Sequence, residues 1–254
     1  DSVEAICTEV IDDMCEKGEV DLVEAISQPF PLLVICDMMG IPRSEYSTVL
    51  DATNVILGGG DPEFLDGKDL IPALFEAGIT LKTLMNELAA ERRANPTDDL
   101  TSKLVNAEHG EDMLTPDELG SFFILLAVAG NDTTRTATSL GMHLLGQNPD
   151  ERRAWQDDID GLTATAVDEI VRMASPVTYM RRTVTRPLTL SGQDFETGDR
   201  LIMFYGAANR DPRVIDDPER FDVRRDPNPH VGFGGPGPHF CLGAHLARRE
   251  LAVV

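Results

Sequence analysis

The sequence lacks the features that would place the protein in a membrane or on nucleic acid. No stretch of about 20 uncharged apolar residues is present, and the longest apolar run, Phe122–Gly130, is too short to span a bilayer. No basic segment followed by an apolar one opens the chain, so we expect no signal peptide. With 22 basic against 44 acidic residues, the net charge of −22 argues against a nucleic-acid or anionic-membrane surface.

Cysteine is also scarce. The four cysteines, Cys7, Cys15, Cys36 and Cys241, show no CxxC spacing, so neither a disulfide framework nor a zinc site is expected. Three of them are interpreted as small buried apolar residues. This use of cysteine predicts a cytoplasmic protein.

Hydrophobic periodicity divides the chain into a long helical part and a short mixed part. Helices are predicted at about 1–17, 29–40, 43–57, 68–94, 99–107, 115–147, 149–159 and 163–173. An acidic loop is expected at His109–Asp112. Beyond it, short strands are predicted at 184–190, 194–195 and 200–204, then a polar loop at 209–229 and a helix after Cys241. The fold class is therefore mainly α with small β-sheets (α+β).

The longest helix has a clear start. Thr115 and Glu118 form a capping box, and Pro116 lies between them at the first helical position. At about 1.5 Å per residue the helix is on the order of 48 Å long. It is apolar on nearly all sides from Phe122 to Ala129, so we expect it to cross the middle of the molecule.

A glycine-rich segment precedes Cys241. Between His230 and Cys241 lie four glycines and two prolines, which allow a tight backbone and the close approach of a flat partner. A cysteine at a helix N-terminus is favoured as a thiolate, a good ligand for a soft or borderline metal. Two alternatives stay open. One is a structural loop with an inert cysteine. The other is a dinucleotide GxGxxG at Gly232, Gly234 and Gly237, although that motif should follow a strand.

Polar residues interrupt the long helix at Ala129-Gly130-Asn131-Asp132-Thr133-Thr134. Such groups after an apolar run are costly unless they are hydrogen-bonded or functional. A threonine that bonds to the preceding turn loosens the helix, and Gly130 leaves room for a ligand. The alternative is an Asp–Thr cluster that packs against another helix.

Two further motifs carry charge. Glu169 and Arg172 form ExxR, whose ends meet on one helix face. Pro218–Phe221 reads Pro-Glu-Arg-Phe. Neither motif is specific by itself.

In their order and spacing these four motifs resemble those of cytochromes P450. The haem-binding loop of that family, FGxGxHxCxG, is matched at Gly237, His239, Cys241 and Gly243. Phe233 departs from it, being one residue further from the cysteine, with Gly234 in the usual aromatic position. The glycine-rich loop is most similar to that of actinobacterial members that oxidise sterol side chains and methyl-branched lipids.

The resemblance implies haem b with its iron held by Cys241. It also implies a role for four other sets of residues. Further contacts to the cofactor are expected from His239, Arg182, Ala129, Gly130, Phe233, Gly234 and Gly243, with Arg181 a weaker candidate for a propionate. Glu169, Arg172 and Arg220 would form a structural triad, whereas Asp132 and Thr133 would steady dioxygen and relay protons. Leu125, Val128, Ala129, Val177 and Met180 would face the substrate, and ordinary core residues are the alternative for these five.

The activity implied is that of a monooxygenase that hydroxylates an apolar substrate, such as a sterol or branched lipid, with O₂. Ferredoxin and ferredoxin reductase would supply NAD(P)H-derived electrons, and Arg248 and Arg249 mark the candidate docking face, with solvated helix arginines as the alternative. Use of peroxide, and a fragment that cannot retain haem, are the alternative functions. We expect residues 1–254 to form one domain of this family, cut at both ends, without its N-terminal part and C-terminal hairpin.

Overall fold

A computed structural model describes residues 2–59, 61–65, 67–107 and 114–254, and most of them are helical. The acidic loop predicted at His109–Asp112 lies outside the described residues. The helices are α1 (Ser2–Cys15), α2 (Pro29–Met39), α3 (Tyr46–Leu57), α4 (Pro62–Leu65), α5 (Leu70–Ala94), α6 (Leu100–Val105), α7 (Pro116–Gln147), α8 (Pro149–Asp157), α9 (Ile159–Ala174), α10 (Tyr205–Ala208) and α11 (Ala244–Val253). None of the helices in these ranges is both long and apolar enough to cross a membrane.

The helix ends follow local signals. Gly40 ends α2 in the left-handed conformation, with φ of 73°. The Asp99 carboxylate accepts the Ser102 N–H at 2.6 Å and caps α6. At the start of α7, the Glu118 N–H donates to the Thr115 hydroxyl at 3.2 Å, and the Thr115 N–H donates to the Glu118 carboxylate at 2.8 Å. The predicted capping box is therefore confirmed.

The strands form two small antiparallel sheets. β1 (Tyr179–Thr183) pairs with β4 (Arg200–Phe204), and β2 (Leu188–Leu190) pairs with β3 (Gln193–Phe195). The strand predicted at 184–190 is therefore wrong in its first half. Its neighbour Pro187 has no N–H to donate to a ladder, so regular pairing cannot run through it.

Four short elements have no counterpart among the predictions: a π-helical turn at Val23–Ser27, α4, β1 and α10. Each has five residues or fewer, which is too short for a periodic pattern.

The chain divides into two compact units, 1–135 with 253, and 136–252 with 254. The division falls inside α7. That residues 1–254 form one domain stays a prediction.

The first unit has one main hydrophobic core. Side chains from α2, α3, α5, α6 and the first half of α7 contribute to it. Its most deeply buried members are Cys36, Met39, Val49, Leu81, Met85, Phe123 and Ala127.

The second unit has two smaller clusters. The first contains Leu145, Ala166, Ile170, Phe221 and Val223, and the second contains Ala137, Val167, Val171 and Leu251, with Phe233 packed against it. The residues from 209 to 243 contain no helix or strand. Phe221, Val223 and Phe233 of this long segment therefore help to attach it to the helices by apolar packing, and Ile215 is buried as well.

Gly130 has a packing role in α7. A Cβ at this position would stand 2.6 Å from the Ile35 Cδ1 atom of α2. Helices approach closely where one of them has no side chain, so the glycine admits Ile35. The space beside Gly130 that was predicted for a ligand is, on the Cβ side, filled by this isoleucine.

This packing predicts opposite effects for two glycines of α7. Gly130→Ala is expected to lower the free energy of unfolding by about 1–3 kcal/mol because it overpacks the core. Gly146→Ala should raise it by about 0.5–1 kcal/mol, since no atom lies within 4 Å of its Cβ position and alanine favours a helix. Urea unfolding of both variants measures the difference. Ile35→Val should partly rescue Gly130→Ala, and equal stability of the two alanine variants would contradict the packing role.

Candidate functional site

One face of α7 carries five of the predicted site residues. At about 100° per residue, they fall within an arc of about 140°. They are Leu125, Val128, Ala129, Asp132 and Thr133. Leu125 is 60% exposed, so the interpretation as ordinary core does not hold for it.

The opposite face of α7 is buried. Its inward side chains are Phe123, Ala127, Asn131, Thr134 and Thr138, each at most 4% exposed. Gly130 lies towards this buried side rather than with Asp132 and Thr133. The alternative of a polar cluster packed against other helices therefore describes Asn131 and Thr134, and not the two predicted catalytic residues.

Both predicted catalytic side chains are hydrogen-bonded. The Thr133 hydroxyl donates to the Ala129 carbonyl at 2.7 Å, as expected for a threonine in mid-helix. Asp132 forms an ion pair with Arg135, one turn further along, whose guanidinium also donates to the Asn54 side chain at 3.4 Å. These bonds explain how α7 tolerates Asp132 and Thr133 after an apolar run, whereas the buried Asn131 side chain has no hydrogen-bond partner among the described residues.

The ExxR motif forms a fully buried ion pair. Glu169 and Arg172 are both 0% exposed, and two N–H groups of Arg172 donate to the carboxylate at 2.7 and 2.8 Å. Its other three N–H groups donate to the carbonyls of Asn209, Pro218 and Arg220 at 2.7–3.1 Å. All five donors of the guanidinium are thus used, and three of them hold the backbone of the long loop.

The third member of this network is Arg225, and the prediction of Arg220 is wrong. The Arg225 Nε donates to both oxygens of Glu169, at 3.2 and 3.1 Å, and its side chain is 11% exposed. The Arg220 side chain is 58% exposed and lies 3.6 Å from Glu151 and 3.7 Å from Asp222. Arg220 contributes only its carbonyl to the network, because its side chain points outward.

Two asparagines that the sequence interpretation missed complete the anchoring of the loop. The Asn228 amide donates to Glu169 at 3.1 Å. Asn209, 0% exposed, accepts the Val231 N–H at 2.7 Å and donates to the Ser175 hydroxyl at 2.9 Å. Their position among the prolines and aspartates of the loop was a signal of turn structure only.

The cysteine loop has a defined backbone. The Cys241 N–H donates to the Phe233 carbonyl at 2.9 Å, and the Ala244 N–H donates to the Cys241 carbonyl at 3.3 Å. Gly234 and Gly237 have φ of 88° and 134°, values that side chains disfavour. The Cys241 side chain is exposed, and α11 begins three residues after it. No strand precedes this loop within residues 209–231, which contradicts the dinucleotide alternative.

The loop has one packed side and one open side. A Cβ at Gly232 would stand 2.5 Å from the Val171 side chain, so this glycine lies tightly against α9. At Gly235, Gly237 and Gly243, no protein atom lies within 4 Å of the position a Cβ would take. The open side can therefore receive a planar group.

The donor set of the second unit fits haem. It offers one thiolate ligand in Cys241, with Phe240 and Leu242 beside it, 46% and 78% exposed, as apolar surface for a porphyrin. His239 is exposed, as is Arg182 of β1, whose side chain makes its only hydrogen bond among the described residues to the Arg181 carbonyl, at 3.0 Å. Arg182 can supply a positive partner for a propionate, and His239 can supply a hydrogen-bond donor.

The remaining predicted substrate residues precede or belong to β1. Met180 is 42% exposed and Val177 is partly buried. All five residues of β1 are exposed, so Met180 is not a core residue either.

Arg248 is neither a free basic residue nor a merely solvated one. Its Nε donates to Asp168 at 2.8 Å, and its Cζ lies 4.4 Å from the centroid of the Phe233 ring. Its predicted place in a docking face is therefore weakened, because its charge is already paired.

The other thiols differ from Cys241. Cys7 and Cys36 are buried, as predicted, and burial raises the pKa of Cys36 to about 12, so it stays a neutral thiol. The prediction that Cys15 is buried is wrong, since it is exposed. Within the described ranges no cluster of three or more histidine, cysteine or acidic side chains could hold a metal ion. A metal bound through one thiolate, as in haem, is consistent with this.

An exposed cysteine on a glycine-rich loop, an ExxR pair that anchors that loop and a long helix with an Asp-Thr-Thr segment together define a haem-thiolate protein. The chain belongs to the cytochrome P450 family, whose sequence profile matches residues 71–254.

Among proteins of described function, the chain is 49% identical over 235 residues to a methyl-branched lipid omega-hydroxylase of Mycobacterium tuberculosis. It is 39% identical over 238 residues to a steroid C26-monooxygenase of Mycolicibacterium smegmatis. The alignments cover 92% and 94% of this chain but 54% of each relative. The chain therefore spans about half the length of the curated relatives it matches.

Solved structures give the same family. A Mycobacterium marinum cytochrome P450 in complex with pseudoionone is similar with a TM-score of 0.93 and 42% identity, over 99% of this chain and 61% of that one. A Bacillus megaterium cytochrome P450 in complex with testosterone is similar with a TM-score of 0.89 and 31% identity, over 99% and 67%. The predicted family and fold class are confirmed.

The contacts of Glu169 predict unequal effects for two arginines of the same loop. Arg225→Met should lower the free energy of unfolding by about 3–5 kcal/mol because it leaves a buried carboxylate undercompensated. Arg220→Met, the matched control, should change it by about 0.5 kcal/mol or less because its side chain is largely exposed. Urea unfolding of the two variants tests this. If Arg220→Met lowers the free energy of unfolding more than Arg225→Met does, the predicted triad of Glu169, Arg172 and Arg220 would be correct.

Proposed function

We propose that this protein is a haem-thiolate monooxygenase that hydroxylates an apolar substrate with O₂. The observation that carries the proposal is the exposed Cys241 thiol on a loop whose backbone is held from Glu169, Arg172 and Asn209. Haem b, when bound, supplies the oxidation chemistry that places one oxygen atom of O₂ into a C–H bond. The protein binds and orients the cofactor and the substrate and delivers protons.

In the second unit, Cys241 is the proposed iron ligand. The bond from the Cys241 N–H to the Phe233 carbonyl fixes the backbone that carries this proposed ligand. Arg182 and His239 are proposed to bind the propionates. Phe233, Gly234 and Gly243 are proposed to contact the cofactor around the ligand, where the loop is short of side chains.

In the first unit, Ala129 and Gly130 are proposed cofactor neighbours through the backbone of α7. Asp132 and Thr133 are proposed to manage proton delivery. The Thr133 hydroxyl already has an acceptor in the Ala129 carbonyl, so its oxygen lone pairs stay available for a second donor. The Asp132 carboxylate is paired with Arg135. To take part in the proposed proton relay, it must leave this ion pair.

The proposed substrate is a methyl-branched lipid or a sterol. The two relatives named above are a methyl-branched lipid omega-hydroxylase and a steroid C26-monooxygenase. The proposed substrate residues are apolar: Leu125, Val128 and Ala129 in the first unit, and Val177 and Met180 in the second. A long hydrocarbon would gain about 0.8 kcal/mol for each CH₂ group that apolar side chains shield from water.

The proposed electron donors are a ferredoxin and its reductase. Residues 1–135 carry 27 acidic and 8 basic residues, a net charge of −19, whereas residues 136–254 carry 17 and 14, a net charge of −3. An acidic partner is thus repelled less by the unit that contains Cys241, and Arg249 keeps its predicted place in the docking face of that unit. Because no cysteine is in a disulfide, a cytoplasmic location is part of the proposal.

The ligand assignment predicts a spectrum. The reduced protein, expressed from the complete gene and loaded with haem, should give a red-shifted Soret band with carbon monoxide, and Cys241→Ser should lose it because oxygen replaces the thiolate. Cys36→Ser is the control and should keep the band, since that thiol is buried in the first unit. A red-shifted Soret band that persists in Cys241→Ser would contradict the proposal that Cys241 is the iron ligand. Haem titration of the haem-free chain tests the alternative of a fragment that cannot retain the cofactor.

Turnover of the Thr133→Ala variant with O₂ and with peroxide shows which of the two oxidants the protein uses. With O₂ and reductase, product formation should fall about 10²-fold or more because proton delivery is impaired. Added peroxide should restore turnover in the variant, since peroxide needs no such delivery. Thr136→Ala, one turn further along α7, is the control. If the native protein works with peroxide alone and Thr133→Ala matches it in every assay, the peroxide-using alternative is correct.

A further inference from the structure

Arg248 of α11 connects α9 with the cysteine loop. Its guanidinium Nε donates to the Asp168 carboxylate at 2.8 Å, while its Cζ lies 4.4 Å from the Phe233 ring centroid. The side chains of Asp168 and Arg248 are 29% and 34% exposed, so the pair is partly shielded from water. A planar guanidinium held by a carboxylate has a fixed orientation over an aromatic face, which a lysine cannot match.

His230 lies near the same oxygen of the Asp168 carboxylate as Arg248 does. Its Nδ1 accepts the Gly232 N–H at 3.1 Å, so the proton of the neutral ring is on Nε2, which lies 3.6 Å from Asp168. The His230 side chain is 5% exposed, and its ring is 5.9 Å from that of Phe233. Burial raises the pKa of Asp168, but its contacts with His230 and Arg248 outweigh burial, so the pKa lies below its usual value.

Phe233 transmits this arrangement to the cysteine. Its ring contacts Arg248 and His230, and its carbonyl accepts the Cys241 N–H at 2.9 Å. The neighbouring Gly232 is pressed against Val171, so the backbone cannot shift towards α9. Because the ring and the carbonyl belong to one residue, the contacts that hold the ring also restrain the Cα atom of Phe233, and with it the carbonyl that accepts the Cys241 N–H.

We propose that Asp168, His230 and Arg248 are positioning residues for Cys241, which act through Phe233 to set the position of the thiolate. The inference rests on the proposed haem-thiolate function and deepens it. None of the three side chains is assigned to contact the cofactor. Their effect is on the geometry of the ligand, as outer groups commonly have at metal sites.

The test measures the stability of the thiolate bond in the haem-loaded protein. At a temperature well below unfolding, the red-shifted Soret band of the carbon-monoxide complex should decay about tenfold faster in Asp168→Asn and in Arg248→Met than in the native protein. Arg248→Lys should behave like Arg248→Met, whereas Asp168→Glu should recover part of the native rate. The double variant should decay no faster than the faster single variant, since both act through one contact.

The matched control is the exposed pair of Asp150 and Arg153 on α8, whose side chains are 93% and 70% exposed. Asp150→Asn and Arg153→Met should keep the native decay rate. Thermal unfolding of the haem-free variants identifies a merely structural role. If unfolding changes while the decay rate and the reduction potential stay native, the positioning role is overturned.

The two proposals fail in different ways. A native protein without the red-shifted band overturns the proposed function and this inference together. A native protein with the band, and Asp168 and Arg248 variants that decay at the native rate, overturns this inference alone.

Discussion

The buried ion pair between Glu169 and Arg172 holds the backbone of the long loop in place. Two charges without contact to water would cost several kcal/mol each if they were not paired and fully hydrogen-bonded. Here the guanidinium uses all five donors, and the carboxylate accepts from Arg225, Asn228 and the Asp222 N–H as well. The pair is therefore tolerated only together with the loop that surrounds it, and the loop in turn is held in large part by the pair.

The loop depends on side-chain bonds because it has no ladder of its own. Between 209 and 243 no helix or strand satisfies the backbone groups, so other groups must do so. The Arg172 guanidinium donates to three backbone carbonyls, and the Asn209 side chain accepts the Val231 N–H. Apolar packing of Phe221 and Val223 adds the second attachment. These contacts give Cys241, at the end of this segment, a defined position, although the residue belongs to no helix or strand.

The two faces of α7 show a second constraint, which is geometric. A helix rotates by about 100° per residue, so neighbours in a motif face different directions. In Ala129–Thr134, Asp132 and Thr133 lie on the outward face, while Asn131 and Thr134 are buried. Gly130 serves the contact with Ile35. One short motif thus combines residues that pack in the core with candidate catalytic residues, so each residue of the motif has to be interpreted separately.

The family, the candidate iron ligand and most helix boundaries could be predicted from the amino-acid sequence, because these follow from local signals: capping residues, a left-handed glycine, and motifs of fixed spacing. Three contacts could be learned only from the folded protein: Arg225 rather than Arg220 joins Glu169, Ile35 fills the space beside Gly130, and Arg248 is held by Asp168 and Phe233. Each of these contacts joins residues from different elements. Which of several arginines or isoleucines meets a given partner depends on how those elements pack, and no periodicity along the chain carries that information.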